Sequence, residues 1–289
     1  LQTFTTAVEL SGYLSAARKK GERIGFVPTM GALHPGHAAL IQRSAAEQAV
    51  TVASIFVNPT QFNVGSDLLA YPRTPEADSA LLTAHGCNLL YMPGIEDVYP
   101  AGTGENRAAN LDFGSLTARM EGAYRPGHFA GVAQVVSRLL EIVGPDVLYL
   151  GQKDYQQVAV VRRMIELLGL GIEVVTVPTV READGLALSS RNRLLQPQER
   201  TAAGRINLHL AAVAAGIRAG WPARELEKTA VLNMRSEPLL EPEYVEVVDG
   251  RTLLPYQDGD SAEELIVATA VQVGRVRLID NRIIGPANP

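Results

Sequence analysis

The sequence predicts an α/β protein: a doubly wound parallel sheet over residues 1–178, followed by a smaller α+β domain over residues 179–289. Three observations predict it. Short apolar runs alternate with segments of helical spacing between Thr6 and Val177, the order that builds βαβ units. One run, Val50 to Val57, is apolar and β-branched almost without polar alternation, which suits a strand buried on both faces of a parallel sheet. From Pro178 the texture changes: alanine-rich helical stretches come first, and strand-like runs then crowd together near the end.

The elements follow in order. Thr6–Lys20 has helical spacing, and Arg23–Thr29 is the strand after it. A helix follows His34 and runs to about Gln48, with Pro35 and Gly36 at its start. After the strand Val50–Val57, Thr74–His85 reads as a helix with Pro75 in its first turn, and Asn88–Met92 as a short strand. Residues 93–107 mix Gly and Pro with polar side chains and read as a loop. Gly131–Val143 is a helix, Asp146–Leu150 a strand, Tyr155–Leu168 a helix and Ile172–Val177 a strand. This order defines a Rossmann-like sheet, in which ligands bind beyond the carboxyl ends of the strands. In the last third, Pro197–Gly220 and Ala223–Arg235 read as helices, and Tyr244–Val248, Glu264–Val273 and Val276–Asp280 as strands.

Composition bounds the function. A chain of 289 residues, 46% hydrophobic and 20% charged, can bury a sizeable core without staples. The single cysteine, Cys87, excludes an intramolecular disulfide framework and a cysteine-based metal site, and favours a reducing compartment. A net charge of −5 without a basic run argues against a nucleic-acid partner; Arg18-Lys19-Lys20 reads as a solvated helix end. No apolar stretch approaches the ~20 residues of a membrane span, and the start of the chain lacks a secretory pattern. The expectation is a cytoplasmic protein with no membrane partner.

Four polar clusters follow strand ends. The first is Pro28-Thr29-Met30-Gly31-Ala32-Leu33-His34-Pro35-Gly36-His37, where a buried strand turns into a helix. A helix N-terminus offers unpaired N–H groups and partial positive charge to a phosphate, and two imidazoles add donors. Capping by one histidine with the other at the surface is an open alternative. Zinc is a second, although the pair lacks the His-Glu-x-x-His form and an obvious third ligand. The second cluster is Gly151-Gln152-Lys153-Asp154: the lysine can neutralise a phosphate and the aspartate can accept from ribose hydroxyls, with a plain polar turn as the alternative. Gln157 lies one turn into the next helix and faces the same edge. The third, Asp184 to Asn192, carries Ser189-Ser190-Arg191, a compact anion-binding set or a serine-capped turn. The fourth, Phe56-Val57-Asn58-Pro59-Thr60-Gln61-Phe62, offers the neutral amides of Asn58 and Gln61 to hydroxyl and carboxylate groups. Four anion-suited clusters on one predicted sheet edge point to nucleotide chemistry.

At this point the residues resemble a known family. His34-Pro35-Gly36-His37 is similar to the His-x-Gly-His motif of nucleotidyltransferases and class I aminoacyl-tRNA synthetases, and Leu188-Ser189-Ser190-Arg191 to the degenerate Lys-Met-Ser-Lys-Ser loop of that superfamily. The ordered set is narrower and resembles the pantoate–β-alanine ligase family. Its other pieces are Pro28–Gly31, Phe56–Phe62, Tyr71–Thr74, Arg125–Val132, Lys153–Gln157, Asp184–Asn192 and the ending Arg277–Asn281.

The resemblance implies ATP-dependent joining of pantoate to β-alanine through a pantoyl adenylate, with release of pyrophosphate and then AMP. It also implies roles. Met30, Gly31, Ala32, Leu33, His34, Pro35, Gly36 and His37 form the first ATP-binding segment, with His34 and His37 on phosphate oxygens and His37 as proton donor. Lys153 meets the phosphates, with Gly151 and Asp154 at the ribose and Gln152 beside them. Val180 presents backbone to adenine, and Leu188, Ser189, Ser190 and Arg191 close over the triphosphate. Gln61, Gln157 and Asn58 line the pantoate and β-alanine pocket. Mg²⁺ accompanies ATP, and a homodimer is implied. Leu188 stands where the family commonly has Met, and Gln152 where Glu is common. Ala77 interrupts an acidic pair linked to metal in some members, so no metal ligand is assigned near Asp78. Other enzymes of the superfamily would share the histidines without Gln61 and Gln157. A tRNA synthetase fits a short acidic chain poorly, and a nucleotide-binding regulator would not need every catalytic-type residue.

Overall fold

The computed structural model describes residues 1–61, 71–100, 102, 108 and 110–286. Phe62 and part of the Gly/Pro-rich segment 93–107 lie outside the described residues. The chain divides into two compact units. The first comprises Leu1–Phe113, Arg125–Gly151 and Val160–Pro178; the second comprises Gly114–Tyr124, Gln152–Ala159 and Thr179–Pro289. The second unit thus draws in two earlier segments that composition does not mark.

The first unit is built on six parallel strands: β1 (Gln2–Phe4), β2 (Ile24–Thr29), β3 (Val50–Ile55), β4 (Leu89–Tyr91), β5 (Val147–Gly151) and β6 (Glu173–Val177). Their order is β1-β4-β3-β2-β5-β6. Successive connections run outward from β2 through β3 to β4, and the chain then returns to place β5 on the other side of β2. The topological switch point therefore lies between β2 and β5, where open α/β sheets take their ligands. Pairing opens the sheet there. β2 matches β3 along its whole length, from Ile24 opposite Val50 to Thr29 opposite Ile55. It meets β5 only at Gly25–Val147 and Phe26–Leu148.

Pro28 shows how the sequence permits this. A proline in a central strand removes a ladder donor. The Thr29 carbonyl accepts from Phe56 N–H on the β3 side at 3.0 Å. Alternate residues of a strand present their N–H and C=O to opposite neighbours, so the missing Pro28 donor faces the β5 side, where pairing has already ceased. Gly25 is required for a different reason: a Cβ there would lie 2.2 Å from Ser44 Oγ.

Helices α1 (Ala7–Lys19), α2 (Pro35–Glu47), α3 (Pro75–Ala84), α4 (Ile95–Val98), α5 (Glu121–Tyr124), α6 (His128–Val143) and α7 (Tyr155–Leu167) complete the first two-thirds of the chain. Val27, Ile41, Ala53, Leu82, Leu90 and Tyr149 join one core cluster of the first unit. Two expectations shift. A short strand, β1, precedes the first helix, and α4 interrupts the expected loop. Helix α6 also starts three residues earlier than its spacing predicts. Gly127, in the left-handed region at φ 80°, turns the chain into it.

Cys87 is buried in this core, with its thiol 3.3 Å from the Leu89 carbonyl. Burial pushes the thiol up to about 11. Only the thiolate alkylates, so iodoacetamide at pH 8 is expected to label the folded protein at least about 100-fold more slowly than a free thiol of pKa about 8.5. Labelling should approach the free rate in denaturant, and rapid labelling of the native chain would refute the burial.

The second unit holds α8 (Pro197–Ala203), α9 (Ile206–Arg218), α10 (Ala223–Ser236) and an antiparallel sheet, β7-β8-β9, of Leu240–Asp249, Leu265–Val273 and Val276–Gly285. The single helix expected over Pro197–Gly220 is two. Gly204 stands at the break, with Asp184 so close that a Cβ would lie 2.4 Å from its carboxylate. Strands β7 and β9 outrun their expected ends, whereas β8 starts one residue later than expected and ends at Val273 as expected. Gly274, at φ 57°, opens the two-residue loop between β8 and β9, where a type II′ turn needs a positive φ.

An ionic knot ties the segment 114–124 into this unit. Arg277 on β9 donates to both oxygens of Glu121 at 2.7 Å and to Glu243 at 2.8 Å, and Tyr244 donates to Glu121 at 3.0 Å. Removing the cation alone leaves two carboxylates facing each other in a largely buried site. Arg277→Met is therefore expected to destabilise the chain by about 3–5 kcal/mol, read as a lower urea midpoint.

Candidate active site

In the first unit, the candidate residues begin at the end of β2. The segment after Thr29 must turn sharply, and Gly31 (φ 82°) and Ala32 (φ 50°) both take left-handed backbone. Glycine does so freely, whereas for alanine it costs on the order of 1–2 kcal/mol. The turn is held from both sides. Thr29 Oγ1 donates to the Ser54 carbonyl at 2.7 Å and accepts from Gly31 N–H at 3.2 Å. Asp78 accepts from Ala32 N–H at 3.0 Å and Leu33 N–H at 2.8 Å, one with each carboxylate oxygen, and Thr74 donates to it at 3.1 Å. Asp78 is only 2% exposed. A buried carboxylate whose two oxygens each accept backbone N–H bonds acts as a buttress for this loop.

His34 then caps α2. Its Nδ1 accepts from Gly36 N–H at 3.1 Å, and His37 Nδ1 accepts from His34 N–H at 3.3 Å, a capping box made of two histidines. The rings lie 4.1 Å apart between centroids. Capping and phosphate chemistry are thus not rivals. With Nδ1 accepting in each ring, a neutral imidazole carries its proton on Nε2. The cap defines the tautomer in which Nε2 can donate.

Past β3, Asn58 is 1% exposed and its amide is fully used. Nδ2 donates to Thr60 Oγ1 at 2.8 Å and to the Gly131 carbonyl at 3.3 Å. Oδ1 accepts from Tyr99 OH at 3.1 Å and from Thr60 N–H at 3.4 Å. Gly131 permits this approach, since a Cβ would lie 2.5 Å from the Thr60 carbonyl. Asn58 therefore fixes the 3₁₀ turn Pro59–Gln61, which ends at Gln61.

β5 ends at Gly151, across the switch point from β2, and Val177 of β6 pairs with it. Within the second unit, Gln152–Asp154 form a 3₁₀ turn carrying Lys153, followed by the first turn of α7 with Gln157 half-buried. Gln156, the next-door residue, is buried and clamps the segment 116–121: its amide donates to the Leu116 and Arg119 carbonyls and accepts from Glu121 N–H.

The remaining cluster is a closed loop. Arg181 and Ala187 form an antiparallel bridge, and the Val180 carbonyl accepts from Leu188 N–H at 3.0 Å. Asn192 donates to Glu182 and to the Ala187 carbonyl. Arg200 grips Asp184 and Glu182, and its hydrogen bonds hold the Asp184 carboxyl below the usual carboxylate range. Ser189 caps the 3₁₀ helix Ser190–Leu194, accepting from Arg191 N–H at 3.3 Å, and Arg191 is exposed.

The sequence reading gives no positioning role to Asp78, Gln156, Arg181 or Asn281. A signal existed for Asp78: it and Leu82 are one helical turn apart and both buried, so an acid stands on the apolar stripe of α3. Among the described residues, no group of three or more His, Cys, Asp or Glu side chains is disposed to hold a metal, and no helix is long and apolar enough to cross a membrane.

Comparison with known proteins agrees with this construction. The profile of the pantoate-beta-alanine ligase family matches residues 2–283. The chain is 45% identical over 281 residues to the pantothenate synthetase of Porphyromonas gingivalis, covering 97% of this chain and 98% of that one. In structure it is similar to the pantothenate synthetase of Thermus thermophilus, with a TM-score of 0.90 at 44% identity over 99% and 100% of the two chains. It is also similar to the Francisella tularensis pantoate-beta-alanine ligase complexed with beta-gamma ATP and beta-alanine. There the TM-score is 0.78 at 31% identity, over 98% of each chain. With two histidines capping a helix at the switch point of a doubly wound sheet, and with this similarity along nearly its whole length, the chain belongs to the pantoate–β-alanine ligase family.

Proposed function

We propose that this chain joins pantoate to β-alanine at the expense of ATP. A pantoate carboxylate oxygen attacks the α-phosphorus, the bond to the β-phosphate breaks, and pyrophosphate leaves. The β-alanine amine then attacks the acyl carbon of the adenylate, and AMP departs as the amide forms. The observation that carries the reading is the reciprocal histidine cap at the start of α2, in a chain of this family.

The chemistry demands what these residues offer. An anion must attack an anion, so the barrier falls when donors and cations meet the charge that builds on the phosphate. The N-terminus of α2 supplies partial positive charge, and the cap, by occupying Nδ1 in each ring, puts the proton of a neutral His34 or His37 on Nε2; His37 is the proton donor to the phosphate oxygens. Lys153 and Arg191 neutralise phosphate, with Ser189, Ser190 and Leu188 beside Arg191. Gly151, Gln152 and Asp154 serve the ribose side. Val180 presents its backbone to adenine, with its carbonyl held in place by the bond from Leu188 N–H. Gln61 and Gln157 bind pantoate, and Gln61 also meets β-alanine. Asn58, whose amide is committed within the protein, contributes by setting the turn that carries Gln61.

Mg²⁺ would enter with the substrate as its ATP complex and would supply positive charge to the phosphates. The Asp78 carboxylate, occupied by two backbone N–H groups, does not suit it as a ligand. A cytoplasmic homodimer completes the proposal: the lone thiol is free and buried, and light scattering at twice the chain mass would support the dimer. The activity is tested by incubating the chain with pantoate, β-alanine, ATP and Mg²⁺. AMP, pyrophosphate and pantothenate are expected in equal amounts. AMP that forms without pantoate, or no AMP at all, refutes the reading.

A further inference from the structure

We propose that Asp280 and Asn281, in the middle of β9, are a positioning pair that sets both ATP-facing segments of the second unit. The inference deepens the ligase reading and rests on it. Asn281 is 3% exposed. Its Nδ2 donates to the Gln152 carbonyl and the Lys153 carbonyl, both at 2.9 Å, and its Oδ1 accepts from Gln152 Nε2 at 3.1 Å. Two consecutive carbonyls gripped by one amide define the 3₁₀ turn, and so the direction in which Lys153 leaves the backbone. Gln152 supplies the third bond, which orients the amide: with Oδ1 accepting from Gln152, Nδ2 must face the carbonyls.

Asp280 serves the other segment. Its oxygens accept a two-pronged bond from Arg181, at 2.7 and 2.9 Å, and Oδ1 also accepts from Asn281 N–H at 2.7 Å. The same guanidinium donates to the Gly185 carbonyl at 3.0 Å and to the Asn281 carbonyl at 3.1 Å. Arg181 thereby pins the two arms of the loop that continues into Leu188–Arg191. Successive side chains leave a strand on opposite faces, so one dipeptide can hold two segments that are distant in sequence. Nothing here requires Asp280 or Asn281 to touch a substrate.

The test uses the full chain, with steady-state KM values for ATP and pantoate and calorimetric Mg·ATP affinity. Asn281→Asp keeps the shape but sets a carboxylate oxygen against two carbonyls. It is expected to raise the KM for ATP about tenfold while moving the KM for pantoate by less than about twofold. In a Lys153→Ala background the same change should add less than about twofold, because the group it positions is gone. Asp280→Asn acts through the other segment. Its effect on ATP should persist in the Lys153→Ala background and be absorbed in Arg191→Ala.

The inference is overturned if Asn281→Asp leaves the KM for ATP unchanged, if both KM values move alike, or if its full effect survives in Lys153→Ala. Should Asn281→Asp fail to fold, Gln152→Met on the half-buried turn replaces it. That variant is expected to raise the KM for ATP about threefold and to lose the effect in Lys153→Ala; no effect overturns the proposal. If the wild-type chain makes no AMP, the ligase reading fails by itself, and Mg·ATP calorimetry on the same variants still judges the positioning pair.

Discussion

His37→Ala is expected to lower turnover by about 100- to 1,000-fold, the loss that would follow removal of one donor to developing charge, the role proposed for His37. It also costs about 1 kcal/mol of stability, because His37 Nδ1 accepts the His34 N–H bond of the capping box. The two roles separate in His37→Asn. An asparagine at that position can still accept the His34 N–H bond but has no atom where Nε2 stood. The expected result is stability close to wild type with turnover as low as in the alanine variant. Urea denaturation and AMP release under saturating ATP, pantoate and β-alanine measure the two sides. If His37→Asn keeps wild-type turnover, the histidine is a cap and nothing more.

Asp78→Ala has the other large effect, and it falls first on folding. Two buried N–H groups, those of Ala32 and Leu33, lose their only described acceptor, and Ala32 stays in a left-handed conformation that alanine disfavours. An unpaired buried donor costs about 1–3 kcal/mol, so the variant is expected to lose about 3–4 kcal/mol. The loop leads directly into His34, and a displacement near 1 Å at that helix start is worth about 100-fold in rate. Asp78→Asn retains one acceptor oxygen and should fall between alanine and wild type in both measurements. If Asp78→Ala melts like the wild type, the buttress is not what holds the turn.

These two residues also show what local sequence encodes. The start of α2 is legible because each of its signals lies within a few positions: a buried strand, Gly31 for the turn, Pro35 in the first helical turn and side chains that can cap. Strand β3 is legible because burial on both faces leaves a continuous apolar run. The break at Gly204 and the early start of α6 after Gly127 are less so. A glycine marks each, but for different reasons: the Asp184 carboxylate stands against Gly204, whereas Gly127 takes left-handed backbone.

Asp78 and Asn281 mark the other side of that division. Asp78 bonds to backbone 46 residues away, and Asn281 to backbone 129 residues away. No spacing rule reaches that far, so neither the aspartate in the first turn of α3 nor the asparagine in the last strand can be assigned its backbone partners until the chain is folded. Asn58 reverses the same lesson: an amide just past a strand end suggests a substrate ligand, and folding turns it inward to Thr60, Gly131 and Tyr99. The amino-acid order, through short-range periodicity and capping chemistry, specifies the class of fold, the helix start that presents His34 and His37, and the residue types suited to phosphate. Which polar groups remain for substrate and which are consumed in holding the loops depends on long-range packing, because a buried hydrogen-bonding group takes its partner from whatever the fold brings within about 3 Å.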